Sequence, residues 1–228
     1  MGKPLHVCWL LDPWKPSRNK YVAAWSALGF NVHLWHQGQL AADVPGVSLH
    51  DATELISGAP EALREAFQYE EKFRVHAACA DLFRYEVLLR HGGTYADLDV
   101  YPLQPLLDSV PFPTFEKDRR GKLEIRYLAA PVGHELLRRL RDEAVRQESL
   151  FMAQGGYRTR ADLGAVLART GPRMAARVTR AWAKEKNAPY ATLLLARAVN
   201  ARTPENRREH YSRRWSEVKA KISSASWS

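Results

Sequence analysis

Between Ala80 and Leu103 the hydrophobic period of the chain changes once, and the change predicts a helix, a stop and a strand. Asp81, Arg84 and Leu88 fall at i, i+3 and i+7 and share one helix face, while Leu82, Phe83, Val87 and Leu89 supply the apolar remainder. A helix so apolar around its circumference is expected to be largely buried. His91 sits in its last turn, where a positive charge suits the helix dipole, and Gly92-Gly93 offers a residue without a Cβ for a left-handed cap. From Thr94 the period becomes two. Tyr95, Asp97, Asp99 and Tyr101 then project to one side, Thr94, Ala96, Leu98 and Val100 to the other, and Pro102 closes the strand.

The rest of the chain alternates in the same way. Strands are predicted at His6 to Leu11, Asn31 to His36 and around Val47 to Leu49, with a helix from Ser17 to Leu28 and further helices running to His91. Beyond Pro113 the pattern predicts strands at Thr114 to Glu116 and Leu123 to Ala129, then helices at His134 to Gln147, Thr159 to Arg169 and Arg173 to Lys184. A last amphipathic helix, Pro204 to Ile222, would use Tyr211, Trp215 and Val218 as its apolar stripe. The alternation argues for an α/β sheet, in which ligands gather beyond the carboxyl ends of the strands. Trp9 and the pair Asp97/Asp99 would both sit there. Trp35, inside the second strand, reads as core.

Two carboxylates two residues apart on one strand repel each other, and a nearby cation resolves the conflict. Oxygen ligands alone suit Mg²⁺ or Mn²⁺, whose remaining water positions a pyrophosphate can occupy. For an isolated Asp-x-Asp a solvated edge strand is the favoured explanation. The surrounding residues decide the matter.

Ala77-Ala78-Cys79-Ala80-Asp81-Leu82-Phe83-Arg84-Tyr85, followed by Gly92-Gly93-Thr94-Tyr95-Ala96-Asp97-Leu98-Asp99-Val100, resembles the "A-x-x-S-D-x-x-R-Y…G-G-x-Y-x-D-x-D" signature of the DXD sugar-binding glycosyltransferases. That family includes fungal α-mannosyltransferases and the glucosyltransferase domains of large clostridial toxins. Ala80 departs from it, standing where the family often has Ser. Lys3-Pro4-Leu5-His6-Val7-Cys8-Trp9 resembles the family's opening "P-K-x-I-H-x-x-W", whose Trp stacks on the nucleotide base; an ordinary core Trp is the competing reading of Trp9. Thr170-Gly171-Pro172 resembles its "T-G-P" turn, with Pro172 opening the next helix, although by itself T-G-P is only a turn signal. His210 with Trp215-Ser216 resembles the closing "H…S-W" segment, loosely spaced, and the amphipathic helix explains the same residues. The Asn that the family often has before "A-A-x-P-G-H" has no counterpart in Ile125 to Pro131.

The resemblance implies a single GT-A domain, Rossmann-like and nucleotide-sugar-binding, over residues 1–228, with a donor-binding α/β part (1–137) and a basic, mostly helical acceptor-side part (138–228). It implies a retaining glycosyltransferase using a nucleoside-diphosphate sugar, UDP-linked, with Mn²⁺ or Mg²⁺. Asp99 would ligate the metal, and Asp97 would bind the ribose hydroxyl and reach the metal through water. Asp81 and Arg84 would grip the donor sugar, Arg84 would also stabilise the leaving oxygen, and Tyr95 would orient ribose or phosphate; Trp9 and Trp215 would complete the donor site. An i, i+3 ion pair on a helix surface is the bland reading of Asp81 and Arg84, worth about 0.2 to 0.5 kcal/mol. No protein nucleophile is implied.

Composition fits one domain: 228 residues, 46% hydrophobic, suffice for a full core without staples. Cys8 in a strand and Cys79 in a helix read as buried thiols of a reducing compartment rather than a disulfide or zinc site. The apolar run Val7 to Leu11 is too short for a signal-peptide core or a bilayer span, so a cytoplasmic protein is expected, in a host cell's cytoplasm if the source is viral.

Charge is uneven. Residues 1–137 hold 14 Lys/Arg against 17 Asp/Glu, a net of −3, and residues 138–228 hold 20 against 8, a net of +12, which together give the +9 of the chain. Such a basic half suggests a polyanionic acceptor, hydroxymethylated viral-type DNA for instance, or an acidic membrane surface. A glycan or lipid-linked acceptor and a merely solvated basic face stay open. So do two readings of another class: a metal-dependent phosphohydrolase using Asp97 and Asp99, for which no downstream Lys and acidic pair is evident, and a non-catalytic nucleic-acid-binding module, which leaves the paired carboxylates unexplained.

Overall fold

The computed structural model describes residues 3–38, 46–98, 100–102, 113–117, 122–157, 165–188 and 198–200. Strand β1 (Lys3–Trp9) is joined through a 3-10 turn (Pro16–Arg18) and helix α1 (Asn19–Ala27) to β2 (Phe30–His36), which runs parallel to it. Strand β3 (Val47–Asp51) adds in parallel to β2, and Asp51 caps helix α2 (Ala52–Ser57) by accepting from the Thr53 N–H at 2.8 Å. Helices α3 (Glu61–Lys72) and α4 (His76–His91) then lead to β4 (Gly93–Ala96), which returns to the far side of β1.

After the short β5 (Val100–Pro102) come β6 (Thr114–Lys117) and β7 (Leu123–Ala130), antiparallel to each other, with β7 antiparallel to β4. The sheet order is β3-β2-β1-β4-β7-β6. Helices α5 (Glu135–Ala153), α6 (Val166–Arg169) and α7 (Pro172–Glu185) follow, and β8 (Ala198–Asn200) pairs antiparallel with β5 in a separate ribbon. Pro172 opens α7 as expected, since the first helical position needs no N–H. No helix among the described residues is long and apolar enough to cross a membrane.

Both faces of the sheet are covered, so its central strands are buried without alternation: Leu5, His6 and Val7 are all buried. On one face Trp14, Val22 and Trp25 pack with Leu5, Val7, Val32 and Leu34; on the other, Leu82, Phe83 and Val87 of α4 join Tyr95, Leu128 and the inner residues of α5 and α7. The order of the strands reverses at β1. The chain runs from β1 outward to β3, then comes back to place β4 on the opposite side, and the crevice at the carboxyl ends of β1 and β4 is where such sheets take ligands.

The double glycine between α4 and β4 is a steric requirement. Gly92 and Gly93 have φ of +63° and +83°, and a Cβ would come within 2.8 Å of the Val132 nitrogen at the first and of the Pro4 carbonyl oxygen at the second. Their absent side chains let the end of α4 and the start of β4 lie directly on β1 and the β7–α5 turn.

One expectation is corrected here. Thr94 to Tyr101 is not one strand: β4 ends at Ala96, a turn closes with the Val100 N–H on the Asp97 carbonyl at 2.9 Å, and β5 then leaves the main sheet for β8. The β1–β4 ladder consists of Leu5↔Thr94 and His6↔Tyr95, so past Ala96 the chain is supported from β7, where the Asp97 N–H donates to the Arg126 carbonyl at 2.8 Å. The alternation still sorted the side chains correctly, since Ala96, Leu98 and Val100 lie in the α1-side cluster and Tyr95 in the other. Of the predicted helix at Thr159 to Arg169, residues 165–169 are described, with α6 starting at Val166, and the helix predicted at Pro204 to Ile222 falls outside the described residues.

Candidate functional site

The crevice at the carboxyl ends of β1 and β4 is a cleft of about 430 Å³, lined among others by Trp9, Arg18, Asp81, Arg84, Tyr95 and Asp97. Asp99, His210 and Trp215 fall outside the described residues. The other sequence-predicted residues are brought together.

Arg84 is the centre of the group. It projects from the middle of α4 and is 3% exposed, so the ordinary weakness of surface ion pairs does not apply. Its Nη2 lies 3.0 Å from Asp81 Oδ1 and 3.2 Å from Asp97 Oδ1, its Nε donates to the Ala80 carbonyl at 3.2 Å, and its Nη1 donates to the Ile125 carbonyl at 2.6 Å. Four of the five guanidinium N–H groups are thereby engaged. Arg84 bolts α4 to the end of β4 and to β7, and its guanidinium lies 4.7 Å from the centroid of the Tyr95 ring.

Asp97 receives a second bond. The buried Tyr95 hydroxyl donates to its Oδ1 at 3.1 Å, a same-face pairing across i, i+2 on the strand. Since that proton is spent on Asp97, the Cys8 thiol, with Sγ at 3.1 Å, is the donor to the phenol oxygen. Burial pushes the Cys8 pKa up to about 12, which keeps it a thiol. The Tyr95 hydroxyl therefore points at protein groups, and its effect on a ligand would pass through Asp97.

Asp81 is enclosed, 5% exposed, with Arg84 on Oδ1 and the Thr170 hydroxyl donating to Oδ2 at 2.9 Å. Burial raises its pKa to about 6, the nearby charge of Asp97 adds to the rise, and Arg84 and Thr170 oppose it. Arg84 itself is held above its ordinary value: burial works to lower it, but Asp97, Tyr95 and Asp81 outweigh burial. One guanidinium thus serves two carboxylates at different depths, Asp81 inside and Asp97 with its side chain 28% exposed at the cleft.

Trp9, the last residue of β1, is at the rim rather than in the core. Its indole N–H donates to the Pro13 carbonyl at 3.1 Å, Trp14 meets it edge-on with centroids 6.1 Å apart, and the Arg18 guanidinium lies 3.7 Å from its ring centroid. Trp35, by contrast, is 6% exposed and packs in the core as expected. Both cysteines are free thiols, also as expected.

The sequence pattern marked Thr170 only as part of a T-G-P turn and gave Arg126 no role. Thr170 belongs to a turn 89 residues from its partner Asp81, and no local pattern announces such a pair. Arg126 lines the cleft from β7 and is held by Glu116, whose Oε1 accepts at 2.7 Å. Burial raises the Glu116 pKa to about 7, against the pull of Arg126.

No three His, Cys, Asp or Glu side chains among the described residues are grouped so as to hold a metal ion. Asp12, Asp81, Asp97 and Glu124 bring carboxylates to the cleft lining, and that of Asp97 is an oxygen donor with the chemistry a hard divalent ion takes.

The sheet order, the crevice at the β1–β4 reversal and the buried arginine between two carboxylates define an α/β fold of the GT-A glycosyltransferase type. Residues 18–116 match the family described as the glycosyltransferase sugar-binding region containing the DXD motif. A stretch of 31 residues is 52% identical to the putative glycosyltransferase HOC1 of Saccharomyces cerevisiae, a match spanning 14% of this chain and 8% of the yeast protein. Among solved structures, the UDP-bound glycosyltransferase domain of the YGT toxin superimposes with a TM-score of 0.69 at 11% identity, over 91% of this chain and 82% of that one. The catalytic domain of the alpha-toxin of Clostridium novyi does so with a TM-score of 0.55 at 12% identity, over 97% and 82%.

Proposed function

We propose that the chain transfers a sugar from a UDP-sugar to an acceptor hydroxyl, with a divalent metal and with retention of configuration. The observation that carries the proposal is the convergence of Asp81, Arg84 and Asp97 in one cleft with Trp9 at its rim, at the point where the sheet reverses its order. The UDP bound to the YGT toxin domain supports the choice of nucleotide.

In this reading Trp9 offers its ring to the base, and Arg18 moves aside or covers the opposite face. Asp97 binds the ribose and, with Asp99, holds the metal as Mn²⁺ or Mg²⁺. The ion, when bound, neutralises charge growing on the departing diphosphate. Tyr95 and Arg84 hold the Asp97 carboxylate still, which keeps its orientation fixed as the substrate changes charge. Asp81 accepts from donor-sugar hydroxyls. Asp81 and Asp97 are both already committed to Arg84, which supports a mechanism without a protein nucleophile, in which the acceptor hydroxyl attacks on the face the leaving group vacates.

For the acceptor, a polyanion such as hydroxymethylated DNA is favoured by one feature of α7. Arg173, Arg177, Arg180 and Lys184 recur at i, i+4, i+7 and i+11 along its exposed face, and Pro172 at its start lines the cleft. A glycan or lipid-linked hydroxyl is favoured by the pairing of cations in this half, one of that row included: Arg139 with Glu135 and Glu185, Arg146 and Arg177 with Glu143, Lys186 with Glu135.

Incubation with Mn²⁺ and a panel of UDP- and GDP-sugars, following free diphosphate with and without hydroxymethylated DNA, tests both layers. Release from a UDP-sugar is the expected result, and stimulation by DNA that falls steeply with salt would assign the acceptor. Absence of release from every donor would overturn the activity; release without stimulation would move the acceptor to glycans or lipids.

A further inference from the structure

Thr170 is fully buried between α6 and α7, and its neighbours leave it little freedom. Arg169 before it donates to Glu148 at 2.8 Å and to the Tyr157 hydroxyl at 2.5 Å, and its guanidinium lies 3.7 Å from the Phe151 ring centroid. The Thr170 carbonyl accepts from the Tyr85 hydroxyl of α4 at 2.9 Å. Gly171 after it has no room for a side chain: a Cβ would lie 2.9 Å from the Leu167 Cα and 3.3 Å from Asp81 Oδ2. The Thr170 hydroxyl has one proton and two acceptors within reach, Asp81 Oδ2 at 2.9 Å and the Val166 carbonyl at 3.4 Å, and the shorter contact takes it.

The geometry points to Thr170 as a positioning residue for donor-sugar recognition, acting through Asp81. With Arg84 donating to Oδ1 and Thr170 to Oδ2, the Asp81 carboxylate is fixed in one plane. Each oxygen keeps a second acceptor position for the hydroxyls of a sugar in the cleft that Asp81 lines. The start of α7 adds the positive end of its dipole beside Oδ2. A hydroxyl donor is thus built into the α6–α7 turn where any small residue would satisfy the backbone. This inference rests on the reading of Asp81 as a sugar contact.

Thr170→Val keeps the shape and removes the donor, and Thr170→Ser keeps the donor. Binding of UDP and hydrolysis of UDP-glucose and UDP-N-acetylglucosamine are to be measured in both, with thermal denaturation of Thr170→Val, Asp81→Asn and the double variant. Thr170→Val is expected to lose about tenfold or more in kcat/KM for the UDP-sugar that the wild type hydrolyses, with its affinity for UDP unchanged, and Thr170→Ser to restore most of the loss. The two single losses in Tm should fail to add in the double variant, because both remove the same contact. Equal loss of UDP and UDP-sugar recognition, or equal behaviour of Val and Ser, would overturn the role. If the wild type hydrolyses neither sugar nucleotide, the donor reading fails, and the denaturation cycle still decides the contact: additive losses would overturn it.

Discussion

Arg84 Nη2 and Asp97 Oδ1 lie 3.2 Å apart, and this ion pair ties the middle of α4 to the residue just past the end of β4. The same guanidinium reaches Asp81 and two backbone carbonyls, so the carboxylate that faces the cleft is held by a group that is itself immobile. Removal of Arg84 would leave two carboxylates without their shared cation, Asp81 enclosed and Asp97 at the cleft, and the Ile125 carbonyl without its donor. Arg84→Ala is therefore expected to cost about 3–5 kcal/mol in urea denaturation, and Arg84→Lys, which cannot reproduce the fork, most of that. A loss below about 1 kcal/mol in both variants would show that the cluster is not a structural bracket.

Trp9 makes a different prediction because it sits at the rim. If its ring receives the base, Trp9→Ala should weaken UDP binding by about 1–3 kcal/mol while leaving kcat for the hydrolysed donor little changed. Isothermal titration calorimetry with UDP reads the effect directly. Equal affinity in variant and wild type would return Trp9 to a packing role against Trp14 and Arg18.

The double glycine is testable against an internal control. Gly93 and Gly133 both have positive φ, +83° and +68°, but a Cβ meets the Pro4 carbonyl oxygen at 2.8 Å in the first case and open space in the second. Gly133→Ala should cost about 1–2 kcal/mol from its backbone conformation alone, and Gly93→Ala clearly more. Comparable Tm values for the two variants would contradict the close approach of β4 to β1.

Stability should pass through a maximum in pH. Burial raises Asp81 to about 6, Glu116 to about 7 and Glu70 to about 8, Glu70 further because Glu148 lies beside it. These folded-state values exceed the unfolded ones, so the stability they contribute is present at low pH and lost as pH rises through about 6 to 8. On the other side His6 is lowered to about 3, by burial first and then by His33 and His91, while burial also lowers His33, His50 and His91. Neutral histidines contribute stability above about 6.5 that is lost as pH falls toward their folded values. Tm measured across this range should fall on both sides, by about 2–4 °C for each kcal/mol lost. Glu70→Gln should flatten the alkaline side, and an unchanged alkaline slope in that variant would refute the assignment.

Most of the cleft's side-chain cluster was legible because its parts are local. Asp81 and Arg84 are three residues apart on one helix, Tyr95 and Asp97 two apart on one strand, and the glycines between them announce the change of period. Trp9 could be read two ways, since β1 buries both of its faces and an apolar run does not say which residue ends at the rim. What the sequence concealed depends on distant parts of the chain. The strand from Thr94 breaks after Ala96 because the β1 ladder stops at Tyr95, a fact about β1. Thr170 reaches Asp81 only because α4 and the α6–α7 turn are packed together, and the i, i+3 pair of Asp81 and Arg84 changes from a weak surface contact to a buried bracket for the same reason.

The most direct test is metal-dependent release of UDP from a UDP-sugar by the wild type and by Asp97→Asn. Release is expected to require Mn²⁺ or Mg²⁺ in the wild type and to fall at least a hundredfold in the variant, with Tm within a few degrees, because Asp97 is partly exposed and Arg84 keeps Asp81. Undiminished, metal-stimulated release by Asp97→Asn would contradict the assignment of this cleft as the donor site.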